Sequence, residues 1–271
     1  MSGIILRFSR LDSELWVYSL VALLLAHIIA DFALRGEILK RGGKRPTQRA
    51  VYHLLAYVVI AYGLLVLNAH LRVCYLPVFE LVAASALIHW LLDAAFARTS
   101  MWNSPIESRQ RSLFVAQQAV KVLVLAGSAT IAALYCSALT SAWHFDPRDW
   151  ESVRVLAYIL GYVFALWVGD AFVSLVLTKL EWAPGNDDGG VPGAGRIIGV
   201  FEALLITTFI VSYQYSAVGL VLTAKSVARF EWLKEQKKTE YFLIGTLSNL
   251  VIAILGGILA LWLAGRKLFP E

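Results

Sequence analysis

Seven long apolar segments recur along the chain, and they leave little choice about its fold class. Each can supply the roughly 20 residues that an α-helix needs to cross a bilayer. The segments are 15–34, 50–69, 75–97, 113–136, 153–178, 197–224 and 241–264. Of the 271 residues, 59% are hydrophobic and 16% are charged, and the mean hydropathy is +0.67. Soluble domains carry about 25% charged residues. We therefore expect an all-α, polytopic transmembrane helical bundle.

Basic residues mark one side of this bundle. The connections 35–49 and 98–112 hold six and three Lys or Arg residues, whereas 70–74 and 137–152 hold one each. Cytoplasmic loops of membrane proteins carry the excess of basic residues. The first and third connections are therefore expected on the cytoplasmic side, with the N-terminus periplasmic. This basic rim accounts for the net charge of +5, and no direct nucleic-acid partner is expected.

The apolar run 197–224 is predicted to be a hairpin of two helices. A single helix would place the five basic residues of 225–240 outside, against the positive-inside rule. The polar stretch 212–216 offers a turn, so helices are expected at 197–212 and 217–232. This interpretation gives eight spans, and the alternative of a single helix gives seven.

The Gly- and Pro-rich stretch 183–196 predicts a linker. It would join a five-span N-terminal bundle, 1–182, to a three-helix C-terminal membrane unit, 197–271. The stretch lacks the Gly-Lys-Ser/Thr ending of a phosphate-binding loop. We therefore interpret Asp187 and Asp188 as solvated turn residues.

Ionisable side chains at membrane depth are costly and by default mark a functional site. The first and third spans each hold a histidine and an aspartate four residues apart, in HIIAD and HWLLD. This spacing places both side chains on one helical face. Counted from the basic residues at the span ends, the two pairs and His53 lie within roughly 6–14 Å of the cytoplasmic edge. We predict a polar cavity there, open to the cytoplasm, with the candidate metal ligands His27, Asp31, His53, His89 and Asp93. The candidate catalytic residues are Asp31, Asp93 and His53.

Further polar residues lie within the predicted spans. They are Gln117, Gln118, Lys121, Asp170, Glu202, Lys225 and Arg229. Nitrogen and carboxylate ligands suit zinc, manganese or iron, and such an ion activates water for hydrolysis. Two alternatives stay open. Either the HxxxD pairs are hydrogen-bonded pairs that hold the bundle together, or Lys121 pairs with Asp31 or Asp93 and makes the site a proton or ion relay.

Three functions are compatible with this pattern. The first is a metal-dependent, hydrolase-like protein that acts on a lipid or lipid-linked group from the cytoplasmic leaflet. The second is an ion- or proton-conducting or transport protein. The third is a non-enzymatic membrane partner that binds a soluble cytoplasmic protein or anionic lipid head groups through the basic segments 35–49 and 225–240. The sequence leaves open whether the protein is an enzyme and is compatible with a homo-oligomer.

The chain has two cysteines, Cys74 and Cys136, which are too few for a disulfide framework. Both are predicted near the outer face of the membrane. There we interpret them as small apolar packing residues, with a periplasmic disulfide as the alternative.

Several motifs, taken together, resemble a known family. They are HIIAD, His53, HWLLD, the pair Gln117-Gln118, GRIIG at 195–199, Glu202, AKS at 224–226 and EYFLIGT at 240–246. In these the chain resembles the inner-membrane proteins of domain of unknown function 3307. The resemblance implies a bacterial, polytopic inner-membrane protein without an established reaction. Family members usually carry Asp-Gln-x-x-His where this chain has 117–121, which implies a degenerate or repurposed fourth-helix motif.

Overall fold

Every regular secondary-structure element in the described part of the protein is a helix. The computed structural model describes residues 10–34, 46–67, 74–97, 108–140, 148–178, 193–228 and 234–269, together with Leu71, Leu180, Val191 and Phe230. Six helical stretches in these ranges are long and apolar enough to cross a bilayer, and two shorter apolar helices accompany them. The predicted all-α, polytopic helical bundle is therefore confirmed, and the protein is a multi-pass membrane protein.

The helices follow the predicted spans, with differences at their ends. They are α1 (Arg10–Ile28) with a π-helical extension (Ile29–Leu34), α2 (Pro46–Val66), α3 (Tyr75–Ala97), α4 (Ser108–Thr140), α5 (Arg148–Val163) with a π-helical extension (Phe164–Val168), α6 (Gly169–Leu177), α7 (Ala194–Val211), α8 (Tyr215–Ala228) and α9 (Gln236–Leu263). These apolar runs form helices because a helix pairs its backbone N–H and C=O groups within the segment, and lipid offers no other partner. Helix α8 ends four residues before the predicted 232, since the Phe230 N–H donates to Val227 O in a turn.

The break predicted within the sixth apolar run is confirmed. Helices α7 and α8 are separate and are joined by a turn at 212–214, where Tyr213 adopts a left-handed conformation with φ 60°. The hydroxyl groups of Tyr213 and Tyr215 donate to the backbone carbonyls of Lys267 and Leu268, just beyond α9. Polar tyrosine side chains thus hold the turn in place, and the alternative of one continuous helix is wrong. The eight-span topology stays a prediction.

Contacts along the chain define two compact units, Met1–Leu156 and Ala157–Glu271. Helices α1 to α4 lie in the first unit, α6 to α9 lie in the second, and α5 contains the boundary. The predicted linker 183–196 lies largely outside the described residues. The division into 1–182 and 197–271 therefore stays a prediction.

Helices α1 to α4 of the first unit form an antiparallel four-helix bundle. Helix α1 packs mainly against α2 and α4, and α3 packs mainly against the same two helices. Hydrogen bonds near both ends set the register of α1 against α4. Trp16 Nε1 donates to Thr130 Oγ1 at 3.0 Å, and His27 Nε2 lies 3.1 Å from Gln118 Oε1. The C-terminal ends of α1 and α3 consequently lie beside the N-terminal ends of α2 and α4.

The second unit is built around α9, which packs against α6, α7 and the π-helical segment Phe164–Val168. Its buried apolar core includes Ala203, Ile206, Ile210, Val218, Ala253 and Leu261. Two glycines permit close contact between α5 and α9. A Cβ atom on Gly161 would lie 2.6 Å from both Gly256 O and Ala260 Cβ. Small residues at such crossings let two helix backbones approach each other inside a membrane.

We predict that Gly161→Ala destabilises the second unit by about 1–3 kcal/mol, because the added methyl group overpacks a backbone contact that has no room to move. Gly219→Ala is the matched control, since a Cβ there meets nothing within 4 Å. Denaturant titration of the detergent-solubilised protein measures both changes. Equal stability of the two variants would contradict the close crossing.

Candidate metal centre in the N-terminal bundle

The polar residues predicted for the first four spans lie together at one end of the bundle. At this end α3 and the π-helical extension of α1 finish, and α2 and α4 begin. Asp31 lies within the π-helical extension, His53 lies seven residues after the start of α2, and Asp93 lies four residues before the end of α3. Antiparallel packing therefore places side chains from four helices at the same depth, as the residue counting predicted.

The carboxylate of Asp31 lies at the centre of the cluster. Its Oδ1 is 2.7 Å from His53 Nε2 and 3.2 Å from His89 Nε2. Its Oδ2 accepts a hydrogen bond of 2.8 Å from Lys121 Nζ. Asp31 thus contacts side chains from α2, α3 and α4 at once, and it is buried.

The two carboxylate oxygens of Asp93 also have different partners. Its Oδ1 accepts hydrogen bonds from Lys121 Nζ at 2.8 Å and from Gln117 Nε2 at 2.6 Å. Its Oδ2 lies 3.8 Å from His53 Nδ1. The ammonium group of Lys121 therefore bridges Asp31 and Asp93, which realises the ion pairing that the sequence left open.

His27 lies beside this cluster. Its Nδ1 is 3.7 Å from Asp31 Oδ2, and its ring centroid is 5.0 Å from that of His89. Gln118 contacts both His27 and Asp31. Its Nε2 donates to Asp31 Oδ2 at 3.4 Å, and its Oε1 faces His27 Nε2. The helix changes from α to π between His27 and Asp31, so the pair does not have the regular α-helical spacing that the sequence suggested. A role for His27 as a metal ligand stays a prediction.

Three buried atoms of the cluster face one another and have no hydrogen-bond partner outside this group. They are Asp31 Oδ1, His53 Nε2 and His89 Nε2. At 2.7 and 3.2 Å the lone pairs of these atoms repel one another unless a proton or a metal ion lies between them.

The donor set fits a divalent metal ion. Asp31, His53, His89 and Asp93 each offer one ligand atom, and these atoms all lie within 4.8 Å of one another. Ligands bound to a tetrahedral zinc ion at about 2.0–2.1 Å are roughly 3.4 Å apart, so the four atoms need to move by about 1 Å. Two imidazole nitrogens and two carboxylate oxygens suit zinc, manganese or iron.

Tyr57 and Ser85 lie behind the cluster, and the sequence analysis missed them. The fully buried Tyr57 packs its ring edge-on against His89, with centroids 5.2 Å apart. Ser85 Oγ donates to Val82 O at 2.9 Å, so it accepts from the Tyr57 hydroxyl, which lies 3.2 Å away. Tyr57 follows His53 by four residues and Ser85 precedes His89 by four. This spacing of four residues, the same as in HxxxD, places each of them on the helical face of a cluster histidine, and it could have identified them from the sequence.

The cluster is more open on one side than on the other. The side chains of His53 and Asp93 are 13% and 16% exposed, whereas those of Asp31 and Lys121 are 1% and 2% exposed. A molecule that reaches the cluster therefore meets His53 and Asp93 first.

The remaining predicted polar residues belong to the second unit. Lys225 Nζ donates to Glu202 Oε2 at 2.6 Å. Arg196 binds both carboxylate oxygens of Asp170, at 3.0 and 2.8 Å. These ion pairs satisfy charges within that unit, and Arg229 lies outside the described residues.

We predict that Lys121→Met, studied in metal-depleted protein, lowers the free energy of unfolding by about 3–5 kcal/mol, because it leaves the buried Asp31 and the partly buried Asp93 without their shared cation. Lys238→Met is the control. It removes an ion pair of 3.1 Å with the exposed Glu235, which is worth at most about 1 kcal/mol. Denaturant titrations compare the two variants, and equal losses would contradict the bridging role of Lys121.

Comparison with known proteins agrees with the motif pattern. The model of the family described as Protein of unknown function (DUF3307) matches residues 19–148. No curated protein and no solved structure matches the chain. The matched range contains the whole polar cluster, from His27 to Lys121. Residues 19–148, and with them nearly all of the four-helix bundle, are therefore similar to the DUF3307 family of proteins of unknown function.

Proposed function

We propose that this is a metal-dependent, hydrolase-like membrane protein that acts on a lipid or lipid-linked group from the cytoplasmic leaflet of the bacterial inner membrane. One observation carries the proposal. Four side chains, those of Asp31, His53, His89 and Asp93, bring ligand atoms within 4.8 Å of one another, and buried atoms of the first three have no hydrogen-bond partner outside this group. A divalent ion such as zinc, manganese or iron gives these atoms a common partner.

The charge of the cluster supports a bound cation. Two carboxylates, of Asp31 and Asp93, face the single ammonium group of Lys121. One negative charge is left over when the histidines are neutral, and an unpaired charge at membrane depth costs several kcal/mol. A divalent ion changes this to one positive charge, which an anionic group of the substrate then balances. A phosphate of a lipid or lipid-linked group has the required charge.

Each side chain has a distinct role in this proposal. His53, His89, Asp31 and Asp93 would hold the ion, which would supply Lewis acidity and activate water at neutral pH. Lys121 binds one oxygen of each carboxylate and so fixes the orientation of both ligands, as partners behind a metal ligand commonly do. His53 and Asp93 are the more exposed residues and lie nearest to an incoming substrate.

The proposed orientation depends on the basic connections. The cluster lies at the bundle end that carries the connections after α1 and after α3. In sequence these are 35–49 and 98–112, which hold nine Lys or Arg residues in total. The positive-inside rule assigns such connections to the cytoplasm, so a substrate enters from the cytoplasmic leaflet.

A proton or ion relay is the second candidate, and the position of Lys121 favours it. Lys121 Nζ lies 2.8 Å from a carboxylate oxygen of both Asp31 and Asp93. A proton on one histidine neutralises the cluster without a metal ion, and proton chains of this composition occur in pumps and transporters. The two candidates therefore differ in which cation neutralises the cluster.

The metal content of the purified protein distinguishes the metal-dependent hydrolase from the relay. We predict that the full chain, purified from membranes in mild detergent without chelator, contains about one divalent ion per chain by elemental analysis. Asp93→Asn and His53→Gln keep the size of the side chain and remove a ligand. Each should lower the affinity for the ion at least about tenfold, because even the loss of a partner behind a ligand costs 10–100-fold.

Asp170→Asn is the matched control, because Asp170 pairs with Arg196 in the second unit and should retain the ion. Wild-type protein without metal, combined with a proton flux in liposomes that Lys121→Met abolishes, would replace the proposal with the relay.

Activity is tested on the metal-loaded protein in vesicles of inner-membrane lipids. We predict release of phosphorylated head groups, detected by mass spectrometry. Chelation and Asp93→Asn should both abolish this release, whereas Asp170→Asn should leave it unchanged. Release that persists after chelation would contradict metal-dependent hydrolysis.

A further inference from the structure

The two cysteines lie together at the far end of the α3–α4 pair. Antiparallel packing joins Asp93 of α3 to Gln117 of α4. Cys74 lies 19 residues before Asp93, and Cys136 lies 19 residues after Gln117, so the register brings them to the same level. The thiol group of Cys136 lies close enough to that of Cys74 for the two to interact.

The backbone holds Cys74 in position. Its N–H donates to Leu71 O at 3.1 Å, and its carbonyl accepts from the Val78 N–H at 2.9 Å, in the first turn of α3. Cys136 lies four residues before the end of α4. Both cysteines are 1% exposed, and no disulfide joins them in the structure.

The cysteine pair lies at the opposite side of the membrane from the polar cluster. Nineteen residues of helix span about 28 Å, which is close to the roughly 30 Å hydrocarbon core of a bilayer. With the polar cluster in the cytoplasmic leaflet, the thiols lie at the outer face. This placement rests on the orientation proposed above. The outer face of a bacterial inner membrane is an oxidising environment in which disulfides persist.

We propose that Cys74 and Cys136 form a structural disulfide at the outer face of the membrane, which fixes the register of α3 against α4. A thiolate of one cysteine attacks a sulfur of an oxidising protein disulfide at this face, and a mixed disulfide forms. The second cysteine then displaces the carrier as a dithiol. Two electrons and two protons pass to the carrier, and one Cys74–Cys136 bond results. The bond closes a loop of about 60 residues, a length at which a cross-link strongly restricts the unfolded chain.

Thiol counting tests the proposal in the full chain expressed in a bacterial host. Cells are quenched with acid, denatured and treated with polyethylene glycol maleimide, which adds one visible mass step per free thiol. The chain has only two cysteines, so the count is unambiguous. We expect no step without reductant and two steps with it. Cys74→Ser is the control and should give one step under both conditions.

Two steps in unreduced wild-type protein would overturn the disulfide. A second host that lacks the periplasmic thiol oxidase should give two steps without reductant. A disulfide of equal extent in both hosts would overturn its oxidation at the outer face. Metal content of protein purified without denaturation from the same cultures tests the proposed metal centre separately, because reduction of the thiols leaves the four ligands unchanged. Free thiols with bound metal reject only the disulfide, and a disulfide without metal rejects only the metal centre.

Discussion

A buried and a partly buried carboxylate that share one ammonium group determine the arrangement of the N-terminal bundle. Lipid cannot solvate Asp31 or Asp93, so each must find its partners inside the protein. Lys121 lies 2.8 Å from both, and this single side chain ties α4 to the end of α1 and to α3. Lys121 binds one oxygen of each carboxylate. The other oxygen, Asp31 Oδ1 or Asp93 Oδ2, faces a histidine, and the candidate metal centre depends on these two remaining oxygens.

The same arrangement links the chemistry of the cluster to the packing of the helices. His53 and His89 approach the one oxygen of Asp31 that Lys121 does not use. Tyr57 supports His89 from behind through its ring, and its hydroxyl group is held by Ser85. Helices α2 and α3 are therefore positioned by groups that also set the direction of the imidazole rings. A shift of one helix changes both the ion pairing and the ligand geometry.

The sequence predicted the helices and the depth of the polar residues, because long apolar runs and basic rims follow directly from the bilayer. Apart from the HxxxD faces of α1 and α3, it did not predict which face of each helix points inward, since side chains that face lipid and side chains that face the core are both apolar. The π-helical turn around Asp31 depends on tertiary contacts, and so does the double ion pair of Lys121. The turn at 212–214 was predictable, because polar residues interrupt the apolar run just where the basic segment 225–240 requires the chain to return.

The most direct test of the metal centre is an anomalous difference map, recorded at a metal absorption edge from crystals of the full chain purified without chelator. The account predicts a single strong peak between Asp31, His53, His89 and Asp93, which disappears in Asp93→Asn and persists in Asp170→Asn. Ordered side chains at these four positions without a peak, in protein supplied with zinc, manganese and iron, would contradict it.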